Sequence, residues 1–133
     1  MNILRLITCI TAFCVISSAS FAQKDFVKDA NNAYKNESYF SAKELYKKAE
    51  AKAKPTKKAW INFQIGECYR NLIEPAQAQT YYNRAMKLKY DRTDPLVILY
   101  LAEVLKEQGE YKEAQEQYEE YLTIKPGDVV ATS

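Results

Sequence analysis

The side chains that come nearest to a catalytic set in this 133-residue sequence are its carboxylates and one thiol. Glu119-Glu120 is an adjacent acid pair, and two carboxylates flanking a glycosidic bond can act as acid and base. Nothing in the sequence sets two acids across a cleft, and these acids read as a hydrated helix face. Cys68 lies in a helical pattern beside Gly66 and Tyr69, which suits a buried small hydrophobe better than a reactive thiol. Histidine is absent, which removes the commonest general base and the commonest metal ligand. There is no glycine-rich phosphate loop and no paired cysteine motif for zinc or redox work. Catalysis, a cofactor, a metal site and a small-molecule substrate are therefore not expected.

The elements that carry these residues are helices. The chain is 47% apolar and 27% charged, enough for a core and unlike a disordered composition. Three glycines and four prolines are too few for strands joined by tight turns.

Residues 1–22 read as a cleaved secretory signal. Arg5 supplies a positive start, Leu6 to Ile16 an apolar run, and Ser20-Phe21-Ala22 a small-x-small cleavage site before Gln23. The run is short for a membrane span and contains Thr8 and Thr11. Thr8 and Phe13, not small residues, precede Cys9 and Cys14, so a lipoprotein anchor is not expected. Cleavage leaves Cys68 alone, so no internal disulfide is expected. These features predict export to the periplasm, with outer-membrane association as a further possibility.

Sliding the remainder against itself reveals a period of 36 residues. Ala42, Ala78 and Ala114 align, as do Tyr46, Tyr82 and Tyr118. Ala30, Gly66 and Ala102 align upstream, and Ala49 and Ala85 align with Tyr121. Each copy reads as two helices, over 25–36 and 39–53, 56–72 and 75–89, and 95–108 and 111–123. Asp94 before Pro95 reads as a helix start, and Gly109 and Pro126-Gly127 read as stops. The domain spans 23–128, in copies 23–58, 59–94 and 95–128, with a short tail over 129–133. A small residue lets two helices approach while the tyrosine fills the space beside it, and successive hairpins share one core.

The pattern resembles the tetratricopeptide repeat (TPR). "LAEVLKEQGEYKEAQEQYEEYLTIKP" and "IGECYRNLIEPAQAQTYYNRAM" carry its small residues, aromatics and terminal proline. "ANNAYKNESYFSAKELYKKAE" is the weaker first copy, with Asp29 and Ala33 in place of larger apolar residues. The period of 36 exceeds the family's usual 34, which places two extra residues between hairpins. The resemblance implies an all-α solenoid of three helix-turn-helix hairpins in a right-handed superhelical stack. It also implies a concave groove lined by the first helix of each pair. The residues it assigns to that groove are Asn31, Tyr34, Trp60, Phe63, Gln64, Glu67, Arg70, Asn71, Tyr100, Glu103 and Lys106, with Val27, Leu96 and Leu99 beside them. Phe63, Leu96 and Leu99 can equally be inter-helix core. One subclass of the family grips a C-terminal carboxylate with lysines and asparagines. Asn31 matches, but Val27, Leu96 and Tyr100 stand where basic residues are needed.

Charge divides along the chain. Residues 23–58 carry ten basic and five acidic side chains, and residues 95–133 three and eight. This suits hydrated helix faces or charge-steered docking, including head-to-tail self-association. The lysines are not interleaved with exposed aromatics, so nucleic acid is not an expected partner. Only "KPGDVVATS" follows the third hairpin, which predicts an uncapped edge with an exposed apolar strip near Tyr121 and Leu122.

The expected function is non-catalytic protein or peptide binding through the groove. The order of signal and repeats resembles the start of envelope proteins that continue into a β-propeller and an OmpA-like domain and serve type IX secretion and gliding motility. That resemblance implies an assembly module of an envelope complex. The alternative is a free-standing periplasmic adaptor or a regulator of an envelope enzyme.

Overall fold

A computed structural model describes residues 24–128, so the expected signal segment and the tail lie outside the described residues. Six helices follow one another: α1 (Phe26–Lys35), α2 (Tyr39–Glu50), α3 (Pro55–Asn71), α4 (Pro75–Lys87), α5 (Leu96–Glu107) and α6 (Tyr111–Ile124). They pair as α1/α2, α3/α4 and α5/α6. The pairs stack through α2 on α3 and α4 on α5, forming an α-solenoid of three hairpins.

Local chemistry explains most boundaries. The Asp25 carboxylate accepts the Lys28 backbone N–H at 3.1 Å and caps α1. Pro55 and Pro75 occupy first-turn positions, where a missing N–H costs little. Asp94 accepts the Leu96 N–H at 3.0 Å, so its carboxylate caps a helix that begins just after Pro95.

The three turns inside the hairpins are equivalent. Glu37, Ile73 and Gly109, spaced by the repeat, all have positive φ, at 56°, 59° and 80°. Each donates to a carbonyl three residues back, and the next residue donates to one five back, at Ala33, Tyr69 and Leu105. This is a Schellman ending. Glycine meets the backbone requirement only in the third copy.

The extra residues of the period do lie between hairpins, but they are used in two ways. At the first junction they lengthen α3 at its start. At the second they form a 3-10 turn, Tyr90–Arg92, which sequence periodicity does not signal. Lys89 enters it with φ 65°. The turn buries Tyr90 against Phe63, with ring centroids 4.9 Å apart.

Ala30, Ala42, Ala78, Ala85, Tyr46 and Tyr82 are buried in the shared core. A Cβ on Gly66 would lie 2.6 Å from Tyr82 Cε1, so only glycine admits the ring there. Cys68 is buried and free, and burial pushes its thiol up to about 12. Ile61 and Ile65 of α3, and Val97 and Leu101 of α5, are buried, whereas their equivalents in α1 are Asp25 and Asp29. The outer helix of the described stack is thus polar where the inner ones are apolar.

The expected strip at Tyr121 is not exposed. Tyr121 is 2% exposed, and its hydroxyl donates to Asp128 at 2.6 Å. The Pro126-Gly127 turn brings that carboxylate back to the ring. Leu122 is half-buried, and the exposed apolar residues of α6 are Tyr111 and Ile124. Tyr118, read as core, is only half-buried.

Two substitutions test these contacts with opposite signs. Gly66→Ala should lower stability by roughly 1–3 kcal/mol, because the fully buried Tyr82 ring cannot move aside. Ile73→Gly should raise it by about 1 kcal/mol, since a β-branched residue held at positive φ is strained and its side chain is 84% exposed. Urea unfolding of both variants measures the pair.

Candidate functional site

The first helices bring five of the expected groove residues together. On α3, Glu67 and Arg70 are one turn apart and form a two-point ion pair, with Arg70 Nε 3.1 Å from Oε1 and Nη2 2.8 Å from Oε2. Arg70 Nη1 also lies 3.7 Å from Glu103 Oε2 on α5, and its guanidinium sits 4.2 Å from the centre of the Tyr100 ring. Tyr34 of α1 packs edge-on against Tyr39 at 5.3 Å and is close enough for the Glu67 charge to act on its phenol. The row therefore runs Tyr34, Glu67, Arg70, Tyr100, Glu103 across three helices.

Glu67 is only 7% exposed. A buried carboxylate needs strong partners, and this one receives the Tyr82 hydroxyl as well as Arg70. The Tyr82 contact follows the repeat: Tyr46 donates to Asn31 Oδ1 at 2.7 Å in the first hairpin. Asn31, Glu67 and Glu103 are spaced by 36, as are Tyr46, Tyr82 and Tyr118. That double spacing was the signal in the sequence for a tyrosine-to-acceptor bond, and only the structure revealed its meaning. No hydrogen bond joins Tyr118 to Glu103 among the described residues.

The electrostatics follow from these partners. Burial works against the charge on Arg70, but its bonds to Glu67 more than offset this and the net shift is upward. Burial, then the charge and hydrogen bond of Glu67, hold the Tyr82 phenol far above its ordinary value. Burial also lifts the Tyr34 phenol to about 12, with Glu67 adding to the effect. Burial raises the Glu103 carboxyl, with Arg70 opposing.

The other expected residues scatter. Phe63 is buried, parallel to Tyr100 with centroids 6.2 Å apart, so it supports the face from below and presents nothing. Leu99 is buried and Leu96 half-buried. Trp60 packs edge-on against Tyr46 at 5.8 Å and lines a separate cleft of about 430 Å³ with Leu88 and Tyr90. Gln64 is half-buried, and Asn71 and Lys106 are exposed. Val27 lines a cleft of about 370 Å³ rimmed by Lys24, Lys52 and Lys57.

A second row runs across α2, α3 and α4 and was missed in the sequence. Lys43 is 7% exposed, with its ammonium 4.5 Å from the Phe40 ring centre and 4.7 Å from that of Tyr69. Lys47 donates to the Tyr69 hydroxyl at 2.9 Å. Tyr69 stacks on Tyr81 at 5.4 Å, and Arg84 covers Tyr81 at 4.7 Å. The available signal was the three-residue spacing of Phe40 with Lys43 and of Tyr81 with Arg84.

Neither a protein-family model nor a curated protein sequence matches the chain. Solved TPR structures share its fold. The first TPR of Spaghetti (RPAP3), bound to the HSP90 peptide SRMEEVD, superposes with a TM-score of 0.69 at 21% identity, covering 80% of this chain and 82% of that one. A structure from the functional characterization of Pseudomonas aeruginosa PilF gives 0.64 at 22% identity, covering 74% of this chain. The chain spans 43% of that second structure's length.

The buried phenols predict alkaline instability. Tyr34, Tyr46 and Tyr82 have folded values above their ordinary 10.0. Their unfolded forms lose protons first, so this contribution is complete below about pH 10 and is lost as pH rises beyond it. Loss of the helical signal above about pH 10 should be cooperative and accompanied by a step in phenolate absorbance from these three rings. Independent titration of all tyrosines near their ordinary value, with helices intact, would contradict the assignment.

Proposed function

We propose that the chain is an exported, non-catalytic scaffold that holds a segment of another protein on the face made by α1, α3 and α5. The observation that carries this reading is the pre-bound state of that face. Glu67 is fixed by Tyr82 and Arg70, and Arg70 is seated on Tyr100. An incoming segment meets half-buried aromatic rings and polar edges already held in place. Little ordering remains to be done on binding, which suits a peptide anchored by a few side chains. Acids and bases neutralise one another here, so no free nucleophile or general base is presented.

The likeness to a TPR bound to a peptide supports a peptide-holding mode. A carboxylate grip is not supported. Val27, Leu96 and Tyr100 occupy the basic positions it needs, and Arg70 is already shared between Glu67 and Glu103.

The context we infer is the cell envelope. Residues 1–22 have the order of a secretory signal, and the resemblance to the opening of type IX secretion and gliding proteins favours an assembly module there.

Affinity capture from envelope extracts tests both parts. Wild type should recover a partner that Tyr34→Ala/Tyr100→Ala recovers about tenfold less. Because those rings also pack on Tyr39 and Phe63, Tyr34→Phe/Tyr100→Phe, which keeps the rings and removes the hydroxyls, gives a second arm that spares the packing. Equal recovery by all three proteins would remove the groove from the function. Mass spectrometry of the exported protein should find Gln23 at its start, and an intact residue 1 would remove the cleaved signal.

A further inference from the structure

In the first two hairpins, the tyrosine of the second helix is covered by the helix that follows. Trp60 of α3 lies edge-on against Tyr46 at 5.8 Å, and Tyr100 of α5 lies 6.5 Å from Tyr82. Both tyrosines are fully buried. Tyr118 holds the same place in α6 but is only half-buried. Beside it opens a cleft of about 350 Å³ lined by Glu103, Lys106, Glu107, Tyr111 and Tyr118. Leu122, one turn further on and half-buried, continues the face. Its equivalent in α2, Glu50, reaches across to α3 and accepts from Asn62 at 2.9 Å, so this position points toward a following helix.

The charge of the cleft selects what can lie there. Two acids and one base, Lys106, line it; Glu103 has Arg70 at 3.7 Å, and Glu107 has no cation within 4.0 Å among the described residues. Residues 95–128 carry three basic and eight acidic side chains. The helix that covers Tyr46, α3, carries Lys57, Lys58 and Arg70 against the single acid Glu67. A second copy fits poorly. Its outer helix α1 presents Asp25 and Asp29 where α3 and α5 present buried Ile and Leu or Val, so although residues 23–58 are basic the contact would lack the apolar area that covers Tyr46 and Tyr82.

We propose that the α5/α6 edge seats an amphipathic helix of a partner protein, its apolar side chains on Tyr118 and Leu122 and its lysines or arginines against Glu103 and Glu107. The helix packs on α6 as α3 packs on α2 and α5 on α4. This surface shares Glu103 with the Tyr34-to-Glu103 row, but Glu107, Tyr118 and Leu122 lie outside that row, so their variants report on this edge alone.

The test uses a fluorescein-labelled synthetic helix of roughly 18 residues, with Leu at core spacing and Lys elsewhere, and a matching Leu/Glu peptide. Anisotropy with the purified protein should show saturable one-to-one binding of the Leu/Lys peptide. Affinity should fall about tenfold with Leu122→Lys and with Glu107→Lys, and about tenfold for the Leu/Glu peptide. Trp60→Ala should leave it unchanged. Glu107 is exposed, so its variant keeps the fold. Three results would overturn the proposal: no saturable binding, equal affinity in the two edge variants, or loss in Trp60→Ala alone. A concentration-dependent dimer in sedimentation that Leu122→Lys abolishes would overturn it in favour of a second copy.

Discussion

The stack rests on the approach of the Tyr82 ring to the backbone of α3 at Gly66. A single methyl group there would stand 2.6 Å from the ring. Because it is missing, the two helices of the hairpin close together and the ring lies fully buried between them. The ring's reach then carries its hydroxyl to Glu67, the residue next to the glycine. Packing and polar satisfaction are thus one event. The first hairpin repeats the hydroxyl contact with Tyr46 and Asn31, where a neutral amide replaces the carboxylate, but it carries Ala30 in place of the glycine.

What lies on the face of the first helices follows from that contact. A carboxylate held at 7% exposure must be compensated, and Arg70 supplies the charge from one turn away. Arg70 is thereby locked into a pose in which its flat guanidinium covers Tyr100 of the next hairpin. One buried tyrosine therefore orders an ion pair, and the ion pair ties adjacent hairpins together. By the same logic, the charged groups of this face are partners of each other.

Helices, hairpin pairing and the three-fold repeat were legible in the sequence, because caps, prolines and the spacing of small and aromatic residues act within a few turns. The turns were less so. Ile73 and Glu37 adopt the backbone that Gly109 announces, since the Schellman hydrogen bonds hold them there against their preference. The 3-10 turn that buries Tyr90 was invisible, because it is stabilised by Phe63 on a helix nearly thirty positions earlier. Lys43 was also unreadable as a buried residue. Its charge argues for water, but Phe40 and Tyr69 enclose the ammonium and Glu44 lies 4.0 Å from it, which makes the position tolerable.

The eleven expected groove residues lie on α1, α3 and α5, but their sequence did not report the depth of each side chain. Phe63 and Glu67 turned inward, while Trp60 went to a different cleft. The sequence by itself determined an all-α chain, its period, and the positions where small residues meet rings, since these depend on local periodicity and side-chain size. Only the tertiary structure decided which of three equivalent tyrosines is covered, which acid is buried, and that Tyr121 folds under Asp128 while Tyr118 faces outward. Burial depends on what the next helix brings, and that neighbour lies too far along the chain for local pattern to report.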